Sequence, residues 1–155
     1  MGYVRGKPKR QRGVTLLELM VALAAAAVLA SLAIPAFNTY VERARVARAV
    51  GDIGTTSLQL YGWQLNTRNF PATLAEAGIL AGNDPWGRPY VYLRVAGANP
   101  GQVRKDHNLV PINTDFDLYS MGRDGQTAPP LTALRARDDV VRAANGAYIG
   151  VAANY

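Results

Sequence analysis

Few side chains in this 155-residue chain are placed to do chemistry. There is no cysteine, which removes disulfides, thiolate zinc sites and thiol catalysis. The single histidine, His107, stands near Arg104 and Lys105 in a polar stretch and reads as a surface residue. A Ser–His–Asp set could draw only on Ser31, Ser57 or Ser120, and none of them lies in a G-x-S-x-G elbow. No phosphate-binding glycine loop and no H-E-x-x-H pair is present. Acid–base work by paired carboxylates needs opposed environments, whereas most acids here fall in polar turns. No catalytic residue is predicted, and the chain is expected not to be an enzyme. Two features remain. One is Glu18, a carboxylate at the start of a long apolar run. The other is the trio Asp124, Asp138 and Asp139 in the C-terminal third.

Glu18 takes its meaning from the segment around it. From Leu16 to Ile34 there are nineteen residues, interrupted only by Glu18 and Ser31. As a helix they span about 28 Å, close to the ~30 Å hydrocarbon core of a bilayer. Ahead of them Arg5, Lys7, Lys9, Arg10 and Arg12 form a basic leader that is predicted to stay cytoplasmic while the rest of the chain crosses. The leader also accounts for the charge. The whole chain carries 17 basic and 11 acidic residues, net +6; without those five the balance is +1. Phosphate binding needs clustered basic charge, and no nucleic-acid partner is expected.

Three readings fit such a segment: a plain membrane anchor, a secretory signal cut near Ala30–Ala33, or a signal cut before the apolar run, after Gly13, so that the run is kept. Glu18 separates them. A carboxylate deep in a bilayer costs ~3 kcal/mol, and an anchor or a discarded signal gains nothing from it. A chain cut after Gly13 does gain. The cut creates an ammonium at Val14, and Glu18 lies one helical turn from such an amine, its own or a neighbour's. Pairing the two in a dry helix bundle would fix axial register.

These residues, Gly13 followed by Val14-Thr15-Leu16-Leu17-Glu18-Leu19, resemble the start of the type IV pilin and pseudopilin family. Its pattern is a glycine, a hydrophobic residue (usually Phe), Thr-Leu and a glutamate at the fifth mature position. Pro35 also matches the place where such helices often carry a proline. The resemblance implies cleavage between Gly13 and Val14 by a prepilin peptidase, N-methylation of Val14, and assembly through Glu18. The departure is Val14 where the family usually has Phe. The run Ala24–Ala27, with Ala30 and Ser31, makes one helix surface smooth, which allows close helix approach.

Beyond Pro35, which should kink or loosen the helix, the pattern turns amphipathic. Val41, Ala44, Ala47, Val50, Ile53, Ser57, Leu60 and Tyr61 recur at helical spacing, and the helix is predicted to run to about Gly62–Leu65. Thr73-Leu-Ala-Glu76 predicts a short capped helix to about Leu80. Tyr90–Val95 and Phe116–Met121 read as strands, with Tyr148–Ala152 as a possible third and residues 96–113 as a loop. The expected fold class is α+β: a long N-terminal helix, membrane-spanning then amphipathic, packed on a small antiparallel sheet in pilin-like fashion. Its divisions are residues 1–13 as leader, 14–35 as apolar helix and 36–155 as periplasmic globular domain.

The second half adds a narrower resemblance. Asp84-Pro-Trp-Gly-Arg-Pro-Tyr, then Phe116-Asp-Leu-Tyr-Ser-Met-Gly-Arg-Asp-Gly, then Asp138-Asp139, are similar to the major (G-type) pseudopilin of type II secretion systems. The longer loop after Gly125, with Pro129-Pro130, and the stretch from Val140 to Tyr155 depart from that family. The resemblance implies a subunit of a periplasmic pseudopilus. Its partners would be further copies of itself, minor pseudopilins, the prepilin peptidase, an inner-membrane assembly platform and, before assembly, lipid. It also implies calcium, held by the Asp124, Asp138 and Asp139 side chains and by carbonyls near Leu118 and Met121, an all-oxygen set of the kind calcium prefers. The opposing reading makes these acids solvated turn residues. The rival functions are a type IV pilin or minor pilin, and a membrane-anchored binding module that never polymerises.

Overall fold

The computed structural model describes residues 13–155. The basic leader, apart from Gly13, lies outside the described residues. The chain forms two compact units, Met1–Tyr40 and Val41–Tyr155.

Helix α1, Leu16–Thr67, belongs to both. In the first unit none of the described residues covers it. Leu16, Leu17, Leu23, Leu29, Leu32 and Phe37 are all exposed, and the most apolar window has a mean hydropathy of 2.3. An apolar surface of this length is stable only in lipid or against other helices. The chain stays helical through Pro35, which has no N–H to offer the Ser31 carbonyl.

In the second unit the same helix is amphipathic. Its buried residues are Ala49, Ile53, Thr56, Ser57 and Leu60. The predicted stripe faces inward from Val50 to Tyr61, with Ile53, Ser57 and Leu60 buried; before Val50 it departs, because Ala44 and Ala47 are exposed and Ala49 is completely buried. Alanine occurs on both sides of this helix, so its spacing alone does not orient the stripe. The helix ends at Thr67, slightly beyond the expected end.

The sheet is an antiparallel meander in the order β1-β2-β3-β4, comprising Val91–Arg94, Phe116–Ser120, Val140–Ala143 and Tyr148–Val151. Tyr92 pairs with Leu118, Ser120 with Val140, and Val141 with Gly150. Strand alternation divides the side chains between two layers. Phe116, Leu118 and Val140 join Ala49, Ile53 and Leu60 in the helix-side core, and Val141 and Ala143 join Ile112, Leu131 and Ala152 on the other face. Each fully buried large aliphatic or aromatic side chain contributes about 1.5–3 kcal/mol. Phe116 is the hub of the first layer, with the rings of Tyr61, Phe70 and Tyr92 within 5.0–5.9 Å of its own.

Two expectations need correction. Strand β3 was not predicted, yet all four of its residues are buried. It is short, and Arg142 interrupts its apolar pattern. The predicted helix at 73–80 is a turn instead. Its capping contacts are nevertheless present: the Glu76 N–H donates to Thr73 Oγ1 at 3.2 Å, and the Ala72 N–H donates to Glu76 Oε2 at 2.6 Å. Gly78, with φ +66°, ends the segment after one turn.

Candidate functional site

The helix start is built by Thr15. Its Oγ1 accepts the Glu18 N–H at 3.2 Å, and its carbonyl accepts the Leu19 N–H at 3.2 Å. Thr15 is therefore an N-cap, and Glu18 is the acidic residue of the first turn. A carboxylate there also complements the helix dipole, so Glu18 has a local role besides any pairing with an amine. Gly13 and Val14 are exposed ahead of the cap, with open space around the Gly13 α-carbon. The peptide bond predicted to be cut thus lies in accessible, non-helical chain just outside the helix.

The C-terminal acids are arranged differently from one another. Asp124 is exposed, and its Oδ1 accepts the Gln126 N–H at 2.7 Å, closing the turn. Asp138 Oδ2 accepts the Asp124 N–H at 2.9 Å. Asp139 is completely buried, and its Oδ2 accepts from Arg104 Nη2 at 2.5 Å and from the Thr127 hydroxyl at 2.6 Å. Burial pushes the Asp139 carboxyl up to about 6, against the lowering effect of the Thr127 and Arg104 contacts. Leu118 lies within β2 and Met121 directly after it. The carbonyls of the next two residues, Gly122 and Arg123, accept from Arg88 Nη1 and Nη2 at 2.7 and 3.0 Å.

Gly122 and Gly125 make this loop possible. Both have positive φ. A β-carbon on Gly122 would lie 2.3 Å from the Asp138 carbonyl oxygen, and one on Gly125 would lie 2.5 Å from Arg88 Cζ.

As arranged, the predicted ligands do not fit a calcium ion. Calcium takes six to eight oxygens around one point. Here the most buried carboxylate already faces a guanidinium, and Arg88 takes the Gly122 and Arg123 carbonyls next to Met121. Among the described residues no group of three or more His, Asp or Glu side chains gathers at metal-binding geometry. Asp139 Oδ1 has no hydrogen-bond partner, but neither does Arg104 Nε of the same ion pair. Arg88, Arg104 and Thr127 were not singled out in the sequence, because a lone arginine in a loop carries no periodic signal.

The remaining acids also have structural partners. Asp115 precedes β2 and pairs with Arg142 at 2.6 Å. Asp117 accepts the Arg104 N–H at 2.7 Å and Asn113 Nδ2 at 2.9 Å. His107 is exposed, with its ring beside Asn108, consistent with a surface residue.

An uncovered apolar helix that begins in a threonine-capped, glutamate-bearing turn, followed by an amphipathic half packed on a four-stranded meander, defines a pilin-like protein. A family model described as the prokaryotic N-terminal methylation motif matches residues 8–34. The type II secretion system core protein G of Escherichia coli K12 is 34% identical over 138 residues, covering 76% of this chain and 85% of that one. Its Pseudomonas aeruginosa counterpart is 30% identical over 139 residues, covering 76% and 87%. The type IV major pilin protein PilE of Neisseria gonorrhoeae is 28% identical over 142 residues, covering 86% and 83%. No solved structure matches. The chain belongs to the type II secretion system core protein G family.

Proposed function

We propose that this chain is the repeating structural subunit of a periplasmic pseudopilus that supports type II protein secretion. The observation that carries the reading is the uncovered apolar helix with Glu18 in its first turn, on a chain about 30% identical to core protein G over most of its length. On this reading a prepilin peptidase cuts between Gly13 and Val14, and Val14 is methylated. The apolar helix is held in the inner membrane, with the second unit in the periplasm, until an assembly platform draws it into the filament. There it packs against identical helices and, at the tip, minor pseudopilins. The role is mechanical, and no catalysis is assigned to it.

A second reading, a type IV pilin, is favoured by the match to PilE, which extends over 86% of this chain. Deleting the gene separates the two. The secretion reading expects folded proteins normally released outside the cell to accumulate in the periplasm, with surface attachment and motility unchanged. Normal secretion with loss of attachment or motility would contradict it and favour the pilus.

A further inference from the structure

The loop that joins β2 to β3 runs from Met121 to Asp139 and crosses the face of the sheet opposite α1. A stretch this long costs chain entropy to hold and needs cross-links. Disulfides are excluded by composition. Backbone bonds link Lys105 to Pro129 and Leu131 in the middle of the loop, and cationic side chains hold it on either side. Arg104, from the loop between β1 and β2, is only 1% exposed. Its Nη1 donates to Thr127 Oγ1 at 2.5 Å and to the Ala128 carbonyl at 2.6 Å, and its Nη2 donates to Asp139 Oδ2 at 2.5 Å. The Thr127 hydroxyl donates in turn to the same Asp139 oxygen, closing a three-residue ring of hydrogen bonds. The guanidinium stacks on the Tyr119 ring, 4.4 Å from its centroid, and the Arg104 N–H is held by Asp117. The position of Arg104 is thus fixed by β2 itself. A planar guanidinium is suited to such a place because it gathers several oxygens at fixed angles and is always charged. Arg88 does the corresponding work at the other end of the loop, on the carbonyls of Gly122 and Arg123.

We infer that Arg104 replaces a divalent cation in this chain: its guanidinium, and not calcium, ties the Asp139 end of the β2–β3 loop to the sheet. A calcium ion could not share Asp139 Oδ2 without displacing Arg104, whose buried charge would then be left unpaired. The inference holds whether the filament serves secretion or a pilus.

The test is thermal unfolding of the full mature chain in detergent micelles, followed by circular dichroism, with either calcium chloride or a chelator, alongside calorimetric titration with calcium. A structural ion present at about a hundred times its Kd would raise the melting temperature by about 5 °C or more. We expect the wild-type melting temperatures with calcium and with chelator to coincide and the titration to be flat. Arg104→Gln should melt lower in both buffers, because it leaves Asp139 buried without its partner, and failure of this variant to fold would agree with that role. A calcium-dependent rise in the wild-type melt, abolished by Asp139→Asn, would overturn the inference. So would an Arg104→Gln variant that melts like the wild type. The wild-type comparison decides the calcium question even where the variant does not fold.

Discussion

Glu18→Ala is expected to leave cleavage after Gly13 unchanged and to abolish filaments. The residues that present the cleavage site are untouched by the change. Gly13 and Val14 stay in exposed chain, and the cap that starts the helix is the Thr15 hydroxyl, which takes the Glu18 backbone N–H and not its side chain. What the variant loses is the charge. In a bundle of apolar helices the effective dielectric falls and a charge pair is several times stronger than in water, so an ammonium at Val14 without an anion nearby is strongly disfavoured. Glu18→Gln removes the charge without shortening the side chain. Glutamine leaves the Thr15 cap intact but can neither neutralise an amine nor complement the helix dipole as a carboxylate does. Both variants should therefore be processed, reach the membrane and yield no filaments in sheared preparations viewed by electron microscopy. Filaments from Glu18→Gln at wild-type abundance would show that the charge at this position is not needed for assembly.

The largest stability loss is expected at Arg142. It stands in the middle of β3, on the helix side of the sheet, with its side chain fully buried. Its guanidinium grips Asp115 with both terminal nitrogens, at 2.9 and 2.6 Å. It also donates to the Phe116 carbonyl at 3.0 Å and to the Tyr61 hydroxyl at 2.6 Å, and lies over the Phe116 ring at 4.0 Å. One side chain thus joins α1, the entry to β2 and β3. Arg142→Met keeps much of the volume and strands a carboxylate whose side chain is only 14% exposed. Breaking a buried pair from one side costs about 3–5 kcal/mol, a large part of the 5–15 kcal/mol typical of a domain. The melting temperature should drop by about 10 °C or more. Arg142→Met combined with Asp115→Leu should recover part of the loss, since no charge is then left alone. Equal melting of the single and double variants would contradict the pairing.

The same pair gives a pH dependence. Burial raises the Asp115 carboxyl, but the hydrogen bonds from Arg142, the Phe116 N–H and Tyr61, together with the charge of Arg142, outweigh it and hold the group below its ordinary value. A lowered carboxyl stabilises the fold above its unfolded pKa, and that contribution is lost as pH falls through the folded one. Acid unfolding of the wild type should thus include an Asp115 component that is smaller in Arg142→Met.

The parts of this molecule with a regular or crowded chemical signature were legible in its sequence. The apolar run, the Glu18 interruption and the basic leader define the N-terminal helix without reference to any partner. Strands β1 and β2 carried enough tyrosine, phenylalanine and valine to be read. Strand β3 was hidden because its four residues include Arg142, and a buried arginine is indistinguishable in sequence from an exposed one until its partners are known. The amphipathic stripe was legible from Val50 to Tyr61 but not before it: alanine at 44, 47 and 49 fits either face, and only the burial of Ala49 in the helix-side core decides. At Asp124, Asp138 and Asp139 the residue types pointed to an oxygen-rich site, but the cation that meets Asp139 comes from Arg104, 35 residues earlier in the chain. No local spacing could announce that contact. The run of apolar residues around Arg142 was the one available hint, since a charge inside an apolar stretch must find a partner when buried.

The central claim, that the chain is cut before its apolar helix and keeps that helix for assembly, is tested most directly by the intact mass of the protein extracted from membranes and sheared filaments. The account predicts the mass of a chain running from Val14 to Tyr155 with one added methyl group. A mass corresponding to a start at Met1, or to a start after Ala33 with the helix gone, would contradict it.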